Sequence, residues 1–381
     1  MKTTASFIIV FLAMLTATFT GAAEPLRFFV GTYTSVDGSK GIYTGRFDAE
    51  TGTLEELTLA AECENPAFLA LHPTKPYLYA VSETGNGKLL AFQCSKRSGR
   101  LTPLDEKEVA GQSPCHLALC LSEDGETDAV VVANYGGGNV VSFPILGSGK
   151  IGKIASDIAH IGSGPNASRQ TKPHPHGTYF DIRTKTVAVP DLGIDQVIYY
   201  QIDLVTAKLS RSLDLASLRL PAGGGPRHLA ATKDQRFVYV LNELDSTISV
   251  FDRITPKYPK LVHSISTLTE GKDAAALKNT TAEIELHPNG KFLYASNRGD
   301  DSIAVFSVDK EKLTLIQNAP SGGQTPRFFC LDPTGRFLLA CNQNSGTICV
   351  LAVDPETGKL TSTGKSVNVS KPVCIVFAST Y

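Results

Sequence analysis

Pro66-Ala-Phe-Leu-Ala-Leu-His-Pro-Thr-Lys-Pro-Tyr-Leu-Tyr-Ala-Val-Ser-Glu83 is the stretch whose reading decides the fold. An apolar run (66–71) meets a Pro-rich turn, and a second apolar run (77–82) follows and ends on a carboxylate. The same grammar returns as Pro226-Arg-His-Leu-Ala-Ala-Thr-Lys-Asp-Gln-Arg-Phe-Val-Tyr-Val-Leu-Asn-Glu243, again over 282–298, and again over 326–342. Looser copies begin near Pro114 and Pro175. Starts fall every ~45–60 residues, the self-similarity of a repeat architecture.

Outward from that phrase, each copy continues alike. A short Gly/Asn/Asp turn leads to an alternating strand such as Ile248-Ser-Val-Phe251 or Ile303-Ala-Val-Phe306. A hairpin of the Thr357-Gly-Lys-Leu-Thr361 kind then leads to a fourth, more polar strand. Four antiparallel strands joined by short turns make one blade. Runs that are apolar at every position need both faces covered, which neighbouring blades supply. Only residues 273–278 read as helical.

Six copies are complete, and fragments remain at both ends. Residues 28–34, 41–48 and 52–59 supply three strands, and Pro372-Val-Cys-Ile-Val-Phe-Ala378 is a first-strand phrase with no blade behind it. The expectation is an all-β, seven-bladed β-propeller over residues 24–381, with four antiparallel strands per blade. The N- and C-terminal strands share one blade and so close the ring against exposed edges. Six or eight blades are the alternative counts. Trp is absent, so the Trp-Asp kind of propeller repeat does not fit.

Residues 1–23 read as a secretory signal peptide: Lys2, an apolar Thr-diluted stretch over 7–19, then Gly21 and Ala23 ahead of a cut before Glu24. The rival is a membrane anchor, for which an apolar stretch of about 13 residues is short of the ~20 that a spanning helix needs. The expected location is secreted or periplasmic. A net charge of −1 supplies no basic field for nucleic acid or for a membrane surface, so no such partner is expected beyond the export signal. The eight cysteines mostly sit inside apolar strand runs and read as small buried hydrophobes. Cys341 and Cys349, symmetric about a hairpin turn at Ser345, are the one pair that could bridge.

Strand direction alternates within a blade, so first-strand starts and second-strand ends share one end of the ring. Polar residues at those places crowd one mouth: His116, His176, Arg227, His228 and Arg327 from starts, and Glu83, Asn134, Asp191, Asn242, Glu243, Asn297, Arg298 and Asn342 from ends. Turn chemistry alone would favour Gly, Asn, Asp and Ser over this much His, Arg and carboxylate. An imidazole beside a carboxylate can act as acid and base, and guanidiniums can grip an anion or an oxyanion. The plain alternative is that Arg227, Glu243 and Arg298 are salt bridges tying blades together.

Weaker signals read as structure. Gly136-Gly-Gly138 and Gly223-Gly-Gly225 open no helix and are tight turns rather than phosphate loops. Asp300-Asp301 reads as a solvated turn, since no loop supplies oxygen ligands at alternate positions; no metal or cofactor is expected. His72 and His287 precede Pro at far-side turns and read as surface residues. Residues 162–172 form a polar loop that is either a lid over the mouth or slack linker. Asn-x-Ser/Thr sites begin at Asn166, Asn279 and Asn368.

At the mouth residues the sequence resembles the seven-bladed lactonase family, which includes the propeller-type 6-phosphogluconolactonase and the fungal carboxymuconate lactonizing enzyme. The phrases that carry the resemblance are His174-Pro-His-Gly177, Gly224-Gly-Pro-Arg-His228, Asn242-Glu243, Asn297-Arg298-Gly, Gly-Gln-Thr-Pro-Arg327-Phe-Phe and Gly31-Thr-Tyr-Thr34. By motif, the family's catalytic His, Arg, Glu and Arg fall on His176, Arg227, Glu243 and Arg298. His116, Asn134, His174, His228, Asn242 and Arg327 are the accompanying substrate-binding set, with His174 the fallback for His176. The implied reaction is hydrolysis of an anionic sugar lactone, with Glu243 or His176 as base. A carboxymuconate-type cycloisomerase and a non-enzymatic binding propeller are the alternatives, and the last gains if Glu243 is guanidinium-paired and shut away from solvent.

Overall fold

The computed structural model describes residues 24–95, 97–123, 125 and 127–378. The signal peptide read at 1–23 lies outside these residues. Strands of the described chain fall into seven antiparallel sheets in a ring. Blade 1 shows the pattern: Pro66–Leu71, Tyr77–Ser82, Lys88–Cys94 and Leu101–Glu108 pair in chain order. Blades 2 to 6 start at Pro114, Tyr179, Pro226, Thr280 and Pro326. Blade 7 combines Pro372–Phe377 as first strand with Leu26–Thr32, Gly41–Asp48 and two short outer strands, Thr53–Leu54 and Thr58–Glu62. The closing ladder sets Phe28 against Phe377 and Val30 against Ile375.

The core is a series of layers between blades. Tyr79, Val81, Leu89 and Ala91 of blade 1 pack on Val130, Val132, Val141 and Phe143 of blade 2, all of them buried. Tyr239, Leu241 and Val250 of blade 4 likewise meet Leu293, Ala295 and Phe306 of blade 5. This two-sided cover is why the second strands carry no polar alternation.

The recurring second-strand tyrosine also has a polar task. The hydroxyls of Tyr79, Tyr239 and Tyr294 donate to the carbonyls of Gly149, Lys310 and Gly358 at 2.8, 3.0 and 3.0 Å. Each bond joins one blade to the outer hairpin of the next, and each contributes about 1 kcal/mol.

Three sequence expectations change. Residues 273–278 form a turn closed by one Leu277 N–H to Asp273 bond and by the Lys278 N–H to Ala275 bond, and no helix follows. The ladder pairs Cys341 with Ile348 and Cys349 with Ala340, so the two thiols point to opposite faces of the sheet and cannot bridge. All eight cysteines are free. His72 is buried, with Nε2 3.1 Å from the Asp128 carboxylate of the next blade, and His287 Nε2 reaches the Gly335 carbonyl of the next blade at 3.0 Å. Both rings are inter-blade contacts.

The outer hairpins give a stability test. Gly358 and Gly364 both sit at φ near +70° (69° and 72°), but a Cβ at Gly358 would lie 2.3 Å from Phe292 Cγ while one at Gly364 meets nothing within 4 Å. Gly358→Ala is expected to cost about 1–3 kcal/mol more than Gly364→Ala in urea denaturation, the difference being overpacking against the neighbouring blade.

Candidate active site

Two local rules build the mouth. The first concerns proline, which has no N–H to give the ladder. At Pro226 the register slips, Pro226 facing Asn242 and His228 facing Leu241, so that Arg227 is left unpaired in a bulge. The same slip leaves out Ala67, Cys115, Arg327 and Val373. In blade 3, Pro175 bridges Asp191 and His176 follows it. Bulges re-aim side chains, and here they turn the residue after proline toward the mouth.

The second rule concerns the ends of the second strands. Asn134, Asn242, Asn297 and Asn342 are fully buried, and their amides tie the adjoining turns. Asn134 Nδ2 donates to the Val109 carbonyl, Asn342 Nδ2 to Ser321, Asn297 Nδ2 to Thr267, and Asn242 Nδ2 to the Thr247 and Ser249 hydroxyls. In five of the blades the residue after the strand-end position faces the mouth. A cavity of about 300 Å³ there is lined by five such residues, Tyr33, Glu83, Tyr135, Glu243 and Arg298. Cys115, His176 and Arg327 line it from the proline bulges.

Glu243 is the centre of the charge arrangement. Its Oε2 lies 3.1 Å from Arg227 Nε and 3.1 Å from Arg298 Nη2, and its Oε1 lies 2.6 Å from Arg169 Nη2. Burial alone would push the carboxyl up; Arg298, Arg227 and Arg169 reverse this and hold it at about 2. Burial, with Arg227 and Arg327 nearby, pulls Arg298 down to about 10 against the opposing pull of Glu243. The pairing therefore ties blades 4 and 5 together, as the plain alternative had it, while also presenting guanidiniums to the cavity.

Arg169 is the residue the sequence reading missed. It sits on the loop before blade 3, where no strand periodicity marks it. That loop is pinned: Gln170 is buried, with Nε2 donating to the Leu192 carbonyl at 2.8 Å and to Asp195 Oδ1 at 2.7 Å. Asn166 Oδ1 caps the turn by accepting the Ser168 and Arg169 N–H groups. Arg169 Nη2 also donates to the Tyr135 hydroxyl at 3.1 Å. The loop is thus a fixed strap over the mouth, which answers the choice between lid and slack linker. Asp195 likewise fills the Gly223–225 turn, accepting the N–H groups of Gly223 and Gly225 at 2.8 Å.

The other residues of the expected set divide. His176 lines the cavity, and burial, with Arg227, His228 and Arg327 adding, holds its imidazole well below the ordinary value and hence neutral. Cys115 Sγ lies 3.8 Å from His176 Nδ1. His174 stacks on Tyr135 at 4.4 Å and its Nδ1 meets the Tyr135 carbonyl at 2.8 Å, so it supports the wall. His116, packed on Phe68 at 3.9 Å and bonded to the Thr178 hydroxyl, lies beneath the mouth, and Asn134 and Asn242 are the turn ties described above. His228 is also beneath it: Nε2 accepts from Arg227 Nη1 at 3.2 Å, because a guanidinium only donates, and Nδ1–H donates to Glu283 Oε1 at 2.9 Å. These four residues do not line the cavity, nor do His174 and Arg227, the latter buried behind Glu243. Asp300 is not merely solvated, since it pairs with Lys272 and accepts from the Ser302 hydroxyl. Among the described residues no His, Cys, Asp or Glu group is set to hold a metal ion.

Chemically, the mouth offers a neutral imidazole, clustered guanidiniums fixed around one carboxylate, and room for a small molecule. A propeller with such a mouth defines a class of ring-shaped proteins whose small-molecule site is assembled from the ends of several blades. Residues 27–377 match the family described as "Lactonase, 7-bladed beta-propeller". The chain belongs to that family. It is 35% identical over 352 residues to the 6-phosphogluconolactonase of Bacillus subtilis, covering 92% of this chain and 97% of that one. It is 32% identical to the 6-phosphogluconolactonase of Formosa agariphila, covering 87% and 94%. Among solved structures, the periplasmic gluconolactonase PpgL of Pseudomonas aeruginosa superposes with a TM-score of 0.84 at 29% identity, covering 93% and 99%.

Two carboxyls give opposite pH slopes. Glu243, held at about 2, binds fewer protons folded than unfolded, so its contribution is complete above its ordinary value of 4.5 and is lost as pH falls toward 2. Glu283, pushed up to about 8 by burial, keeps a proton that the unfolded chain releases, so stability is lost as pH rises from 4.5 through 8. Glu283→Gln keeps the acceptor for His228 and is expected to reduce the second slope, to which Glu285, also pushed up to about 8 by burial, contributes the remainder, while leaving the first. Urea midpoints at pH 3, 5 and 8 measure both.

Proposed function

We propose that the protein hydrolyses a six-membered sugar lactone at this mouth, with 6-phospho-D-glucono-1,5-lactone as substrate and 6-phosphogluconate as product. The observation that carries the reading is the convergence of Arg169, Arg227 and Arg298 on Glu243 beside a neutral His176, with Arg169, Arg298, Glu243 and His176 lining one cavity and Arg227 buried behind Glu243. The activity named for the Bacillus and Formosa relatives supports it.

His176 is the base in this reading, because Glu243 is held at about 2 by three guanidiniums and is a poor proton acceptor. The free imidazole nitrogen, Nε2, takes a proton from water as its oxygen attacks the ring carbonyl. Arg298 N–H groups stabilise the tetrahedral oxyanion, and Arg227, buried behind, holds Glu243 in place. Collapse breaks the ring C–O bond, and the imidazolium returns its proton to the departing alkoxide. Glu243 keeps the guanidiniums aimed at the carbonyl. His176→Ala and Arg298→Ala are each expected to lower kcat about 10²- to 10³-fold with the fold intact by circular dichroism. Wild-type rates in both variants would remove the mouth from the chemistry.

A binding propeller is the second reading, and the pairing and burial of Glu243 favour it. A panel of gluconolactone, its 6-phosphate and a muconolactone separates hydrolase, cycloisomerase and binder on wild-type protein alone.

The same proposal includes export. Gly21 and Ala23 fit a cleavage site before Glu24, and the Pseudomonas relative is named periplasmic. Amino-terminal sequencing of protein from a secreting host is expected to begin at Glu24; protein retained in the cytosol with residues 1–23 attached is the opposing result.

A further inference from the structure

The four guanidiniums of the mouth are not equally occupied. Arg169 donates from Nη2 to Glu243 and to the Tyr135 hydroxyl. Arg227 faces Glu243 through Nε and donates from Nη1 to the Ala282 carbonyl and to His228. Arg298 donates from Nη2 to the Thr281 carbonyl and faces Glu243. Arg327 differs. Among the described residues its side chain has one ionic neighbour, Glu83 Oε2 at 3.9 Å, which is longer than a charge-assisted hydrogen bond.

Arg327 is nonetheless held in place. Its guanidinium lies 5.3 Å from the Tyr33 ring centroid, a cation–π contact that covers one face and leaves the in-plane N–H donors free. Tyr33 is fixed in turn by donating its hydroxyl to Glu83 Oε2 at 2.6 Å. All three side chains line the cavity. They come from blades 6, 7 and 1, whereas His176, Glu243 and Arg298, which line the same cavity, come from blades 3, 4 and 5.

We propose that Arg327, seated on Tyr33, is the subsite for the anionic group of the substrate, so that the lactone lies across the mouth. Its ring carbonyl then faces His176 and Arg298, and its phosphate, at the end remote from the carbonyl, faces blades 6 and 7. The planar fork of Arg327 suits two phosphate oxygens at once. Glu83, already accepting from Tyr33, keeps a second oxygen for a sugar hydroxyl. The proposal rests on the lactonase reading above and adds what selects a charged lactone over an uncharged one.

The test compares kcat/KM for 6-phosphogluconolactone with that for gluconolactone. Arg327→Gln is expected to lower the ratio about 10- to 100-fold, mainly through KM for the phosphorylated substrate. Arg327→Lys, which restores charge without the fork, is expected to recover part of the ratio. A wild-type enzyme indifferent to the phosphate, or an Arg327→Gln variant that slows both lactones equally, overturns the subsite. If wild-type protein hydrolyses neither lactone, the lactonase reading fails by itself. Calorimetric binding of 6-phosphogluconate against gluconate then decides the subsite: selective binding lost in Arg327→Gln supports it, and equal binding overturns it.

Discussion

The inner strands of the described sheets are apolar on both faces and require cover, which the neighbouring sheets supply. That requirement makes the blades stand face to face, bends the row into a ring, and sends the first strand of each blade to the axis. Once the ring exists, strand direction does the rest. First-strand starts and second-strand ends meet at one mouth, and any polar residue placed there joins a shared cavity. The chemistry is thus built from residues far apart in sequence, such as Tyr33, His176, Glu243 and Arg327, without any long-range contact having to specify it.

Much of this was legible in the sequence because period-two runs and proline-marked starts are local signals. The ring, the blade closed by both chain ends, and the meeting of His176 with Glu243, Arg298 and Arg327 follow from those signals. The failures have physical reasons. Asn134 and Asn242 were expected in the mouth from their position at strand ends, but a buried amide has to satisfy its own donors, and the turn carbonyls and hydroxyls nearby do so. The residue one step further on, Tyr135 or Glu243, is the one that lines the cavity. Applied consistently, that offset marks Tyr33 and Tyr135, and the bulge after proline marks Cys115. Arg169 has no such signal: its loop follows no repeat, and only the pinning of Gln170 and Asn166 fixes where it points. His72 and His287 were misplaced for a related reason, since a turn that faces solvent in one blade is a contact surface for the next.

The electrostatics carry a second lesson about reading sites from residue types. A carboxylate beside an imidazole suggests acid and base in either order. In the structure three guanidiniums remove that ambiguity by stabilising the ionised form of Glu243 so strongly that it is a counter-ion first. The neighbouring chain from Arg227 through His228 to Glu283 runs the other way, toward neutral groups. Burial holds His228 well below its ordinary value and Glu283 at about 8, so the layer beneath the mouth bears little charge at neutral pH. Positive charge is thereby concentrated at the surface of the cavity, where a ligand can meet it.

The pairing of Phe28 with Phe377 has a consequence for how the chain is made. The strand Leu26–Thr32 can pair with Gly41–Asp48 as soon as both are made, but its other edge has no partner until the segment Pro372–Phe377 follows. Throughout synthesis one flank of the nascent ring is an uncovered ladder of backbone groups, open to a strand from another molecule. Ring closure, which covers that edge of Leu26–Thr32 in the finished protein, concentrates the hazard of mispairing in the interval before Pro372–Phe377 docks.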